Sequence, residues 1–135
     1  MKYEILEHKA DLKIRAFGKT KEELFLNAML GMFGGARYET DAKSKKLKVK
    51  IKIKSVDLFS LLVDFLSEIL YLVETKKLVF EKVKFRKFTD NEIEAILIGK
   101  KLNRMGVHIK GVTYHDLDIR QRKEGTWEAT ILFDI

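Results

Sequence analysis

The residues best suited to chemistry in this sequence are oxygen donors. Asp134 and Ile135 are its last two residues, so a side-chain carboxylate and a main-chain carboxylate lie one residue apart. Adjacent hard oxygens of this kind chelate a hard cation. A second acidic group stands far upstream in His8-Lys9-Ala10-Asp11-Leu12, and a third in Thr113-Tyr114-His115-Asp116-Leu117-Asp118. A fold that gathers these segments would assemble an oxygen-rich site for a divalent cation, with calcium, magnesium and manganese all compatible. Gathered carboxylates need a cation or a basic partner to stay ionised together, and Lys9 and Lys13 are the partners the chain itself offers. His8 and His115 adjoin the acidic segments and are further candidates to ligate or to carry a proton. A hydrogen-bonded structural role is the more ordinary use of a histidine. Asp116 and Asp118 flank Leu117, so a regular strand would put both on one face.

Other chemistries are excluded or unsupported. There is no cysteine, hence no disulfide, thiolate metal site or cysteine nucleophile. Gly31, Gly34 and Gly35 lack the lysine and hydroxyl residue that complete a phosphate-cradling loop, and read instead as the end of a helix. No histidine pair has zinc spacing and no nucleophile elbow is present. At 135 residues and 46% hydrophobic, the chain is expected to be a single domain over residues 1–135. The start, Met1-Lys2-Tyr3-Glu4, lacks a secretory pattern, and no apolar run reaches the ~18 residues of a membrane span. A cytoplasmic protein with no membrane partner is therefore expected. Charged residues make up 35%, largely lysine and glutamate, and Gln121 is the only glutamine, a composition that points to a thermophilic source.

The net charge of +7 leaves nucleic acid or an acidic protein open as partners. Its densest stretch, Lys43, Lys45, Lys46, Lys48, Lys50, Lys52 and Lys54, alternates with Leu47, Val49, Ile51 and Ile53. An edge strand whose lysines deter aggregation accounts for that alternation, and no aromatic residues interleave to stack bases.

Several elements must position the acidic segments. Residues 2–8 and 12–17 read as strands, with Asp11 in the loop between them. Thr20 and Glu23 form a capping box for a helix through Leu24, Phe25, Ala28, Met29, Met32 and Phe33, stopped by Gly34-Gly35. Leu47 to Ile53 is a strand with one wet face. Ser55 is placed to cap a second helix over residues 57–73. Residues 78–88 and 92–101 form a hairpin about Thr89-Asp90-Asn91, with a bulge near residues 80–83. Residues 112–120 and 126–134 form another about Lys123-Glu124-Gly125. Phe25, Phe33, Phe65, Phe80 and Trp127 read as core. The expected fold is α+β, a mainly antiparallel sheet with two helices packed on one face.

Three blocks resemble the archease family, the accessory proteins of RtcB-type tRNA-splicing ligases. They are His8 to Gly18 with the following Glu22-Glu23-Leu24-Phe25-Leu26-Asn27-Ala28, then Leu62-Val63-Asp64-Phe65-Leu66-Ser67-Glu68, and Lys110 to Leu117 leading to Phe133-Asp134-Ile135. Departures from the family pattern are Lys9, Leu12 and Gly111. The resemblance implies a strand-helix-strand-strand module with an inserted helix and hairpin. It implies a non-catalytic protein that speeds attachment of GMP to a ligase histidine and lets the ligase turn over repeatedly, with tRNA or RNA contacted indirectly. It also implies a divalent cation held by Asp11, Asp134 and the Ile135 carboxylate. The residues by themselves leave two alternatives, a standalone metal-dependent hydrolase of RNA or nucleotides acting through the same carboxylates and a basic RNA-binding module using the lysine strand.

Overall fold

Alternation builds the first pair of strands, β1 (Tyr3–Leu6) and β2 (Asp11–Gly18). In β2, Leu12, Ile14 and Ala16 are buried while Lys13, Arg15 and Phe17 are half-buried, the period-two pattern of a sheet with one packed face. The computed structural model describes residues 1–6 and 10–135; His8 and the expected end of the first strand at residue 8 lie outside them. Asp11 is the first residue of β2 rather than a loop residue, a correction that matters for the site.

Helix α1 (Lys21–Ala36) starts where Thr20 Oγ1 accepts from Glu23 N at 3.1 Å and Glu23 Oε1 accepts from Lys19 N at 3.0 Å. It runs through Gly34-Gly35, which do not stop it, and ends at Arg37 in the left-handed conformation, φ 57°. The glycines serve close packing instead. A Cβ on Gly34 would lie 2.1 Å from the Tyr3 hydroxyl, and one on Gly31 2.9 Å from Ile14 Cδ1. Removing these Cβ atoms lets α1 settle onto β1 and β2.

β3 (Tyr38–Thr40) and β4 (Leu47–Lys54) follow. The apolar side of β4 is buried only at Ile51 and Ile53; Leu47 is exposed. Helix α2 (Leu58–Lys76) is capped by Asp57, whose carboxylate accepts from Ser60 N at 2.8 Å. Ser55, expected to be the cap, instead donates to Asp64 Oδ2 at 2.6 Å. Two long hairpins complete the chain: β5 (Leu78–Phe88) with β6 (Glu92–Met105), and β7 (Gly111–Gln121) with β8 (Trp127–Asp134).

The strands divide into two antiparallel sheets. The first has the order β1-β2-β8-β7. In the second, β6 is central: residues 92–99 pair with β4, residues 93–101 with β5, and residues 102–105 with β3. β5 shifts register between Phe80 and Lys82, the expected bulge, and again between Phe85 and Lys87. Both helices touch both sheets, α1 through β2, β1, β8 and β5, and α2 through β7, β4 and β5. Phe25 links the layers, its ring 5.5 Å from that of Phe65 and 4.9 Å from that of Phe88. The first sheet with α1 contains the expected strand-helix-strand-strand module as β2-α1-β7-β8, extended by β1, and the insert carries β3 and β4 besides the expected helix and hairpin, α2 and β5–β6. Trp127 is only partly buried, with Lys21 Nζ 5.1 Å from its ring centre. No helix among the described residues is long and apolar enough to cross a membrane.

Candidate metal-binding tip

The β2–β8 ladder places Asp11 directly opposite Asp134, and the β7–β8 ladder places Asp134 opposite Gly111. Directly opposed residues of antiparallel strands share a face, with Cβ atoms about 4.5–5.5 Å apart. The two carboxylates therefore leave the sheet side by side. Their register is fixed from below: the same ladder pairs Leu12 with Phe133, Ile14 with Ile131 and Ala16 with Ala129, all buried. A slip of one residue would turn this set out of the core, so core packing holds the acidic pair in line.

The row is closed on the β7 side by Lys110 N, which donates to Asp134 O at 2.7 Å. Gly111, third in the row, has open space where a Cβ would stand. Asp134 and Ile135 are exposed, and hard oxygens beside an unobstructed gap suit a cation that keeps part of its water shell. Like charges directly opposed across a ladder also disfavour it unless a cation or a basic side chain offsets them. The residues present thus fit a hard divalent cation. Among the described residues, no cluster of three or more His, Cys, Asp or Glu side chains gathers as a metal site, and the side chains this row would offer a cation are the two carboxylates of Asp11 and Asp134.

Asp116 reaches Lys13, two residues along β2 from Asp11, by an irregular route. β7 leaves register between Thr113 and Asp118, and Asp116 takes the left-handed conformation, φ 57°. Its carboxylate lies 3.6 Å from Lys13 Nζ and 3.7 Å from His115 Nε2. Lys13, one of the two partners expected for Asp11, pairs with Asp116; Lys9, the other, lies outside the described residues. Asp118 accepts from Arg120 Nε instead, so the regular strand face expected for Asp116 and Asp118 is broken by the bulge. The sequence carried a signal for it: Val112 and Tyr114 occupy even positions, Leu117 and Ile119 odd ones. His115 is exposed. A cleft of about 360 Å³, lined by Tyr71, Glu74, His108 and Lys110 among others, runs up to Gly111. Its His108–Glu74 contact at 2.5 Å had no sequence signal, because its partners are 34 residues apart.

Comparison with known proteins agrees with this arrangement of strands and helices. The model of the Archease protein family (MTH1598/TM1083) matches residues 3–135. The archease of Methanosarcina mazei is 39% identical over 142 residues, covering 99% of this chain and 96% of its own. A crystal structure from Thermotoga maritima, described as an archease and possible chaperone, has a TM-score of 0.72 over 96% of this chain and 94% of that one. At 19% identity it speaks to the fold alone. The solution structure of Methanobacterium thermoautotrophicum protein 1598 is 25% identical, with a TM-score of 0.65 and 98% of each chain covered. On the family match and the identity to its relatives, the chain belongs to the archease family.

Proposed function

We propose that this protein is a non-catalytic activator of an RtcB-type tRNA-splicing ligase, and that it acts through the tip formed by Asp11 and Asp134 with Ile135 beside them. The observation that carries the reading is the pairing of Asp11 with Asp134 across the β2–β8 ladder. These are the two aspartates that the family resemblance assigns to a divalent cation, and they are brought together from opposite ends of the sequence.

In this reading the ligase performs the bond chemistry and the tip is presented to its GTP-binding site. A cation held there would supply positive charge for nucleotide phosphates, as calcium, magnesium or manganese can. This chain's residues fix its position: the ladder sets the spacing of Asp11 and Asp134, and Lys110 N–H holds the main chain of Asp134. Lys13, two residues along β2 from Asp11, pairs with Asp116 and brings a positive charge to this end of the strand. The description of the Thermotoga relative as a possible chaperone is compatible with an accessory role.

The test is RNA joining with the ligase limiting, so that repeated turnover is required. Wild-type protein is expected to raise the yield beyond one product per ligase. A variant with one residue added after Ile135 should fail while keeping its circular dichroism spectrum. Equal turnover with the extended variant would remove Ile135 from the site, and no increase with wild type would refute the activator reading.

A further inference from the structure

The outer face of the second sheet carries positive charge that the tip does not use. On that face β6 presents Glu92, Glu94, Ile96 and Ile98. Lys54, Lys52, Lys50 and Lys48 of β4 stand opposite them in register. From the other side, Lys84 of β5 stands opposite Ile96 and Lys82 opposite Ile98. Where β6 supplies glutamates the lysines are paired: Lys52 with Glu94 at 3.0 Å, Lys54 with Glu92 at 3.8 Å, Lys87 with Glu92 at 2.5 Å. Where it supplies isoleucines there is no compensation. Among the described residues, Lys48, Lys50, Lys82, Lys84 and Arg86 have no carboxylate within 4.0 Å. A shallow cleft of about 430 Å³, lined by Lys50, Lys52, Arg86, Glu94 and Ile96 among others, lies along this boundary.

Protection of sheet edges explains lysines on β4 and β5. It does not explain why the neutralising acids stop at Glu94, because glutamates at 96 and 98 would protect the edges equally and remove the repulsion. The rows Lys50–Ile96–Lys84 and Lys48–Ile98–Lys82 form two rails of cations about 10 Å apart, with successive lysines about 6.8 Å apart along each, from ordinary strand spacings. Lysine is a point charge on a flexible stem, suited to phosphate oxygens whatever the base. The rows hold no aromatic side chain on which an unpaired base would stack, which disfavours a single strand. A duplex offers two phosphate strands flanking a groove, and in A-form RNA the minor groove is wide and shallow.

We propose that this face binds the phosphate backbone of a double-stranded nucleic acid, independent of sequence, through Lys48, Lys50, Lys82, Lys84 and Arg86. The inference does not rest on the ligase reading, since it concerns another sheet and another ligand.

The experiment is fluorescence anisotropy of a labelled RNA duplex titrated with the full chain at several salt concentrations. About four neutralised phosphates would weaken binding about a hundredfold between ~50 and ~200 mM salt. The double variant Lys50→Ala, Lys84→Ala should flatten the log–log salt slope by about two. Lys123→Ala, in the turn between β7 and β8, should leave the slope unchanged, and circular dichroism checks that all variants fold. A DNA duplex of the same length separates a general backbone site, which binds both, from one that prefers the A-form. Absence of binding at ~50 mM salt, or an undiminished slope in the double variant, would overturn the proposal. So would capture of polyglutamate without capture of either duplex, which would mark the face as a site for an acidic protein.

Discussion

An aspartate facing an aspartate is an unfavourable cross-strand pair by itself, worth a few tenths to about 1 kcal/mol against the ladder. At the proposed site a bound cation would offset it. Calcium at about a hundred times its dissociation constant would stabilise the folded state by about 2.7 kcal/mol, seen as a rise in Tm. Asp134→Asn should abolish most of that rise while leaving the metal-free protein as stable as wild type or slightly more so. Thermal denaturation with calcium and with chelator checks both, and an identical calcium response in the two proteins would count against the site. Tyr38 offers a second residue-scale test. Its hydroxyl accepts from Ile109 N at 3.0 Å, and burial, aided by the charge of Glu74 and opposed by that hydrogen bond, holds it protonated above its ordinary value. The unfolded chain therefore releases this proton first, so stability falls as pH rises past about 10. Tyr38→Phe should cost about 1–3 kcal/mol at neutral pH by leaving the Ile109 N–H unsatisfied. It should also show a shallower alkaline decline than wild type in denaturant melts. Asp11, Asp134 and Asp116 were all legible as oxygen donors, but their neighbourhood was not: side-chain type shows in sequence, whereas which strand ends meet is decided by ladder order. His8 lies outside the described residues.

At the scale of elements, periodicity located β2, β4, α2 and the two hairpins because each buries one side of a regular pattern. It failed where something other than periodicity decides. β3 is three residues long, too short to show a period. Gly34 and Gly35 read as a helix stop, yet their use is the approach of α1 to Tyr3 and Leu12, a tertiary contact. The lysine alternation of β4 marked an edge strand, and the matching lysines of β5 only acquire meaning once β6 lies between them. Gly99 makes a further element-scale prediction. It sits opposite Phe80 at the β5 bulge, where an added Cβ would lie 2.2 Å from Val79 O. That neighbour is backbone and cannot move aside cheaply, so Gly99→Ala should destabilise by about 1–3 kcal/mol. Chemical denaturation checks it, and an unchanged midpoint would show that the two strands separate more easily than their packing implies.

For the molecule as a whole, the order of elements explains why residues 11 and 134 come together. The inserted segment from β3 to β6 builds its own sheet, leaving β7 and β8 to return to β2, so the beginning and end of the chain share one sheet. The shared sheet carries the acidic tip and the inserted one the basic face, which separates two charges of opposite sign that would otherwise quench each other. The proposed partner and cation are what the family resemblance implies, whereas the alignment of Asp11 with Asp134 follows from the order of the ladders. The most direct measurement is the rate of GMP attachment to a purified cognate RtcB-type ligase, with and without this protein, using wild type beside Asp11→Ala and Asp134→Ala. The account predicts acceleration by wild type and its loss in both variants, each with an unaltered circular dichroism spectrum. Undiminished acceleration by the two variants would contradict the tip as the working site, and no acceleration by wild type would contradict the activator role itself.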